Sequence, residues 1–216
     1  MRVRELRMED LDDLPAPCRG CAFWQTTSAA RGGLPSDPAA QDAWWQAVQL
    51  EWGVPGRAVW DDDRLVAYAL FAPTVHLQRS RVLGPPASED AMVLATVWVD
   101  PDHRRAGLAR HLFQVVAREA VAHGIEAVEA YGTLVGAGAA HAPGGCVVTG
   151  EFLEHLGFRL HRSDLKTPLY RFETRRTATW AKSMSHALAE VVAALSRRER
   201  ATSRPALESV PSPAAD

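Results

Sequence analysis

The chain has little cysteine, little charge imbalance and no long apolar run, and each shortage removes a class of protein. Three cysteines, Cys18, Cys21 and Cys146, in 216 residues are too few, and odd in number, for a disulfide framework. Lys and Arg total 24 against 26 Asp and Glu, a formal net charge of −2. No global field therefore draws the chain onto nucleic acid. No apolar stretch approaches the roughly 20 residues of a membrane span. The run Met1-Arg2-Val3-Arg4-Glu5 carries charge where a signal peptide needs an apolar core. These shortages predict a cytoplasmic protein with no membrane partner. The hydrophobic fraction of 47% is ample for a core, and the length suits one domain with a small appendage.

The periodicities alternate between strand and helix. Val3–Met8 alternates as a half-buried strand does. Glu9–Leu14 reads as a short helix stopped by Pro15 and Pro17. Residues 15–36 read as loop. Asp37 reads as an N-cap with Pro38 in the first helical position. Trp44, Trp45, Val48 and Trp52 form a helical stripe ended by Gly53. Arg57–Trp60 and Leu65–Phe71 read as a hairpin around Asp61–Arg64. Residues 73–88 read as irregular. Met92–Val99 is a nearly continuous apolar run, the mark of a central strand. A helix over about 107–123 buries Ala109, Leu112, Phe113, Val116 and Ala120. Ile125–Tyr131 is a further strand, and residues 132–145 read as a flexible loop. Thr149 caps a short helix ended by Gly157. Phe158–His161 and Pro168–Phe172 close the sheet. Trp180, Met184, Leu188, Val191 and Leu195 mark an amphipathic C-terminal helix, followed by a charged, then Pro- and Ser-rich tail.

The most informative stretch is Arg104-Arg105-Ala106-Gly107-Leu108-Ala109. It follows the apolar strand and Asp100-Pro101-Asp102-His103, and it opens a helix. Free N–H groups at a helix start, with the helix dipole behind them, favour an anion. Gly107 has no Cβ to hold a ligand off, and the two arginines add fork-shaped donors. The bland alternative is a pair of solvated surface arginines.

The spacing Arg-x-x-Gly-x-Ala, after a strand ending Val-Asp-Pro, resembles that of the GNAT N-acyltransferases. The element order β-α-α-β-β-β-α-β-α-β-β and Leu156-Gly157-Phe158 resemble that family too. The likeness covers about residues 1–173. It implies an α/β (α+β) fold with a central mixed, twisted sheet of about seven strands flanked by helices. Residues 174–198 would add a C-terminal helix packed on that domain, and 199–216 a disordered tail. A narrower likeness rests on Pro17–Trp24, Leu50–Gly53 and Cys146–Val148. These resemble an actinobacterial GNAT subfamily whose N-terminal segment reads Cys-x-x-Cys-x-Phe-Trp-Glu, with Gln25 here in place of the last acid.

The resemblance implies acetyl-CoA as acyl donor and direct transfer to a primary amine, on a small molecule or a protein. The turn Arg104, Arg105, Ala106, Gly107, Leu108, Ala109 and Arg110 would hold its pyrophosphate. A bulged strand would offer backbone groups of Val97, Trp98 and Val99 to the pantetheine arm, and one freed N–H would polarise the thioester carbonyl. A donor of that kind is worth about 3 kcal/mol of barrier. Two further readings stay open: a GNAT-fold aminoacyltransferase using aminoacyl-tRNA, and a non-catalytic acyl-CoA sensor or partner-binding module. Monomer and homodimer are both compatible with the chain.

The proton chemistry departs from the family pattern. Many relatives place a Tyr four residues before the Gly of Leu-Gly-Phe and an Asn seven residues earlier. Here those positions are Leu153 and Cys146. The replacement candidates are Glu129 as a general base through water, Tyr131 on the same strand face as a donor, and Cys146 as a nucleophile of lowered pKa. The competing readings are an exposed strand carboxylate, a core tyrosine and a buried inert thiol. His141 is a fourth option, and His103 and His111 read as surface residues. Cys18 and Cys21 could be half of a zinc site, completed by Cys146 and His141 only if the fold gathers them. No second C-x-x-C supports that, so no metal is expected. By resemblance, Cys18–Gln25, Trp44, Trp45 and Trp52 would shape the acceptor pocket, with core filling as the alternative for the tryptophans.

Overall fold

The computed structural model describes residues 1–16, 18–27, 36–134 and 146–176. His141, most of the expected loop over 132–145, the expected C-terminal helix beyond residue 176 and the tail lie outside them. No helix among the described residues is long and apolar enough to cross a membrane.

Among the described residues, eight strands make one mixed sheet. They are β1 (Arg2–Glu5), β2 (Gly56–Asp61), β3 (Arg64–Pro73), β4 (Ala91–Val99), β5 (Ala127–Thr133), β6 (Val148–Thr149), β7 (Arg159–Arg162) and β8 (Leu169–Glu173). Their order is β1-β2-β3-β4-β5-β8-β7, with β6 on β5 off that path. The β1 to β4 pairs are antiparallel and β4–β5 is parallel. The helices are α1 (Pro38–Glu51), α2 (Ser80–Leu83), α3 (Leu108–Ala122) and α4 (Gly150–Leu156).

Local chemistry explains most of these boundaries. The Asp37 side chain accepts from Ala40 N at 2.9 Å and starts α1. The expected strand at 125–131 begins two residues later, because Ile125 N still bonds Ala120 O and completes the end of α3. The segment Met8–Asp13 is a 3-10 helix where an ordinary short helix was expected. The stretch 73–88 is less irregular than its composition suggests, since it holds a 3-10 turn over Thr74–His76 as well as α2. The two-residue β6 carries no period at all. It reaches β5 through a glycine pair: a Cβ on Gly132 would lie 2.9 Å from Gly150 Cα and 2.7 Å from the Tyr170 ring.

The sheet has a packed face on either side. On one, α3 buries Leu108, Leu112, Phe113, Val116, Ala117 and Ala120. Ala109, expected among these, is only half-buried, because the turn before it sets the helix start toward solvent. Phe113 lies 4.7 Å from the Phe158 ring and 5.0 Å from the Phe172 ring, centroid to centroid. On the other face Trp24, Trp45, Tyr68, Val93 and Tyr131 form a second cluster, with Cys18, Cys21, Trp98 and Cys146 packed against it. Phe113→Ala should cost about 3–5 kcal/mol of stability. Urea denaturation should show this as a fall in midpoint with the slope unchanged.

Candidate active site

The parallel pairing of β4 with β5 covers only Ala91–Val93 against Ala127–Glu129. Beyond Val93 the two strands part. The antiparallel register on the other side of β4 slips at the same place: Leu70 pairs with Thr96 and Phe71 with Leu94. Ala95 is the extra residue of a bulge. A bulge shifts the alternation of side chains, so Val93, Ala95 and Trp98 all pack on the same cluster. From Leu94 to Val99 the edge of β4 away from β3 has no strand partner among the described residues. The bulged strand that the resemblance implies is therefore present.

A cavity of about 440 Å³ opens where the strands separate. One wall is Val97, Trp98 and Val99 of β4; another is His103, Arg104, Arg105, Gly107, Leu108, Ala109 and Arg110. The volume is that of a small-molecule site. Of the residues expected to hold the donor, only Ala106 does not contribute to the wall.

The turn between these walls is held from beneath by Asp100. Its carboxylate accepts from Asp102 N at 2.9 Å, from Arg64 Nη2 at 2.7 Å, and meets His103 Nδ1 at 3.2 Å. Burial alone would raise its pKa; the His103 and Asp102 N hydrogen bonds and the Arg64 charge outweigh that and hold it below the usual range. His103 is thus half-buried against the turn, and not the free surface residue that its sequence context suggests. Arg105 sits at φ 63° and Gly107 at φ 80°, both left-handed. Gly107 flanks α3 without any side-chain cap, so the N–H groups of the first turn face outward unpaired by the helix. Arg104 and Arg105 are exposed beside them.

The opposite wall escaped the sequence reading. It consists of Val148, Thr149, Phe152, His155 and Leu156, from β6 and α4. The Thr149 hydroxyl accepts from Phe152 N at 3.2 Å and starts α4. Arg110 Nη2 donates to His155 O at 2.8 Å and ties α3 to α4 across the cavity mouth. The Thr149 cap was the one sequence signal of this wall. Leu153, at the position where relatives carry a Tyr, is fully buried.

Glu129 and Tyr131 share a strand face as expected, yet neither lines the cavity. Glu129 is wholly buried instead of exposed. Its carboxylate pairs with Arg171 Nη1 at 2.9 Å and accepts from Ser88 N at 2.9 Å. The Tyr131 hydroxyl lies 2.8 Å from Pro85 O and 3.1 Å from Ser80 O. Burial, then the Glu129 charge, pushes its pKa up to about 12. Cys146 Sγ lies 3.5 Å from Cys21 Sγ. The hydrogen bond between the two sulfurs and then burial push the Cys146 thiol up, whereas that hydrogen bond and Phe23 N lower Cys21. The lowered thiol is therefore Cys21. Among the described residues, no three His, Cys, Asp or Glu side chains converge as metal ligands.

The segment around Cys18–Gln25 reaches the bulged strand directly. Trp24 Nε1 donates to Thr96 Oγ1 at 3.2 Å, and its ring lies 6.3 Å from that of Tyr131. Trp45 is fully buried and fills the core. Trp44 donates to His76 O at 2.7 Å, and Trp52 stacks on His123 at 4.8 Å.

No curated protein matches the chain in sequence. Several solved structures share its fold. An N-acetyltransferase from Staphylococcus aureus Mu50 aligns with 15% identity and a TM-score of 0.54, over 80% of this chain and 98% of its own. A ribosomal-protein-alanine N-acetyltransferase from Brucella melitensis gives 15%, 0.54, 80% and 99% in the same terms. The yncA structure from Salmonella typhimurium, solved with its cofactor acetyl-CoA, gives 17%, 0.53, 80% and 93%. A model of the family described as acetyltransferase (GNAT) family matches residues 18–142. That match spans more than half of the chain and takes in the bulged strand, the arginine turn and α3: the chain belongs to the GNAT acetyltransferase family.

Proposed function

We propose that the cavity between β4 and α4 binds acetyl-CoA and that the protein transfers its acetyl group directly to a primary amine. The observation that carries this reading is the uncapped start of α3, with Gly107 left-handed and two exposed arginines beside it. The residues present fit the donor. Unpaired N–H groups at a helix start, backed by the helix dipole, suit a pyrophosphate. Arg104 and Arg105 match its oxygens as forked donors. The unpartnered edge of β4 offers N–H and C=O groups to an amide-bearing arm. Acetyl-CoA supplies a thioester whose carbonyl carbon is open to attack by an amine. The backbone of β4 next to the Ala95 bulge would donate to an oxygen that gains negative charge.

The acceptor side in this reading is the segment Cys18–Gln25, which Trp24 joins to Thr96. Gln25 Oε1 is buried and has no hydrogen-bond partner among the described residues. It is the lone pair that an incoming amine N–H would satisfy. Glu129 and Tyr131 brace the fold beneath: one neutralises Arg171, and the other ties β5 to the chain at Ser80 and Pro85.

Acetyl-CoA should raise the melting temperature of the protein, by an amount that grows with its concentration as expected for a ligand of the native state alone. Arg104→Glu and Arg105→Glu should each weaken binding by about 1.5–3 kcal/mol, roughly 10- to 150-fold in Kd, read by calorimetry. Tight binding that survived both changes would remove the pyrophosphate from this turn. Binding without thiol release across a broad amine panel would instead mark a sensor. Gln25→Leu should raise KM for the amine by about 2- to 12-fold, the worth of one neutral hydrogen bond, and leave the Kd of acetyl-CoA unchanged. Steady-state kinetics with the amine varied, beside calorimetry with acetyl-CoA, separates the two effects.

A further inference from the structure

We infer that Cys21 and Cys146 form a peroxide-oxidisable dithiol that fastens the Cys18–Trp24 segment to the wall of the donor cavity. The two sulfurs lie 3.5 Å apart across 125 residues of sequence. All three cysteines are free and none is fully buried. The thiols therefore meet across the fold, and a disulfide requires the sulfurs to close from 3.5 Å to about 2.05 Å.

The pair is asymmetric in the way the chemistry requires. Either sulfur can donate across the 3.5 Å contact, but Phe23 N donates to Cys21 alone, which favours the Cys21 thiolate and leaves the proton on Cys146. A thiolate is the nucleophile toward a peroxide, and a neighbouring thiol resolves the product. Cys21 Sγ attacks one oxygen of hydrogen peroxide, the O–O bond breaks, and hydroxide leaves as water. Cys146 Sγ then attacks the sulfur of the Cys21 sulfenic acid. The S–S bond forms and a second water leaves with the Cys146 proton. Two thiols lose two electrons and the peroxide gains them.

Cys18 is the bystander, although Cys18 and Cys21 form the sequence motif. Burial raises its pKa, and Tyr68 is its hydrogen-bond partner. The Cys21 thiol instead faces a residue 125 positions away.

The location gives the bond a consequence. Cys146 leads directly into Val148 and Thr149, which line the cavity and start α4. Cys21 leads into Trp24, which holds Thr96 of the bulged strand. Drawing the sulfurs together would pull on the chain that leads into Val148 and Thr149, and so on the cavity wall those residues form. This coupling rests on the placement of acetyl-CoA proposed above; the dithiol itself does not.

The test treats the full-length protein with one equivalent of hydrogen peroxide. The expected result is a loss of two hydrogens in intact mass, a Cys21–Cys146 cross-linked peptide, and full reversal by dithiothreitol. Cys18→Ser should behave the same, while Cys146→Ser should leave a Cys21 sulfenic acid that dimedone captures. A Cys18–Cys21 link, an intermolecular link or no loss of hydrogens overturns the dithiol. Oxidised protein should bind acetyl-CoA about fivefold or more weakly than reduced protein. Equal affinities overturn the coupling to the cavity. Failure of the reduced protein to bind acetyl-CoA at all overturns the donor site and with it the coupling, while the mass measurement still decides the dithiol.

Discussion

The rest of the site depends on where the β4–β5 ladder stops. A parallel pair that ran the length of both strands would satisfy every backbone group and leave no room for a ligand. Here the ladder ends at Val93 and Glu129, and the Ala95 bulge turns β4 just beyond that point. Exposed strand edges attract a partner. On the β5 side the partner is β6, brought in by the Gly132–Gly150 contact. On the β4 side none of the described residues takes that place, and the cavity lies there. The split in the sheet, more than any single side chain, creates the site.

The bulge also divides labour between the two faces. The α3 face is an apolar layer around Phe113, Phe158 and Phe172, with the Arg57–Glu119 ion pair beside it. The other face carries the reactive groups: Trp24, Tyr68, Trp98 and the three thiols. Tyr68 and Trp98 sit opposite each other in register and stack at 5.9 Å. That stack links the interior of the second cluster to the cavity wall. The ion network of Glu129, Arg171 and Asp90 stands apart from both, at the β5–β8 seam. Its fully buried carboxylate needs a charged partner, and Arg171 Nη1 supplies one at 2.9 Å.

The elements written in local chemistry were legible before the structure. The Asp37 cap, the Met92–Val99 strand, the arginine turn and the Thr149 cap each depend on residues within a few positions of one another. What stayed hidden depends on long-range pairing. The two residues of β6 have no period to read. Tyr131 gave no sign that its hydroxyl would meet carbonyls 46 and 51 residues away. The C-x-x-C offered Cys18 and Cys21 as half of a zinc site, whereas the fold sets Cys21 against Cys146 at 3.5 Å. The tryptophans divide similarly: Trp45 is core, but Trp24, in a stretch without helical or strand period, contacts the bulged strand.

The turn itself shows how stability yields to binding in this chain. A left-handed Arg105 costs about 1–2 kcal/mol, because its Cβ crowds the adjacent carbonyl. A glycine there would remove that cost, as Gly107 does two residues on, but it would also remove a forked cation from the cavity wall. Asp100 makes the strained conformation sustainable. Its three hydrogen-bonding partners, Arg64, Asp102 N and His103, lock the chain immediately before Arg104. The strain is thus confined to Arg105, which faces solvent, while the Asp100 anchor beneath it is buried and hydrogen-bonded. Backbone strain over-determined by its surroundings is typical of ligand-binding turns, and here the sequence from Asp100 to Gly107 contains both the strain and its support.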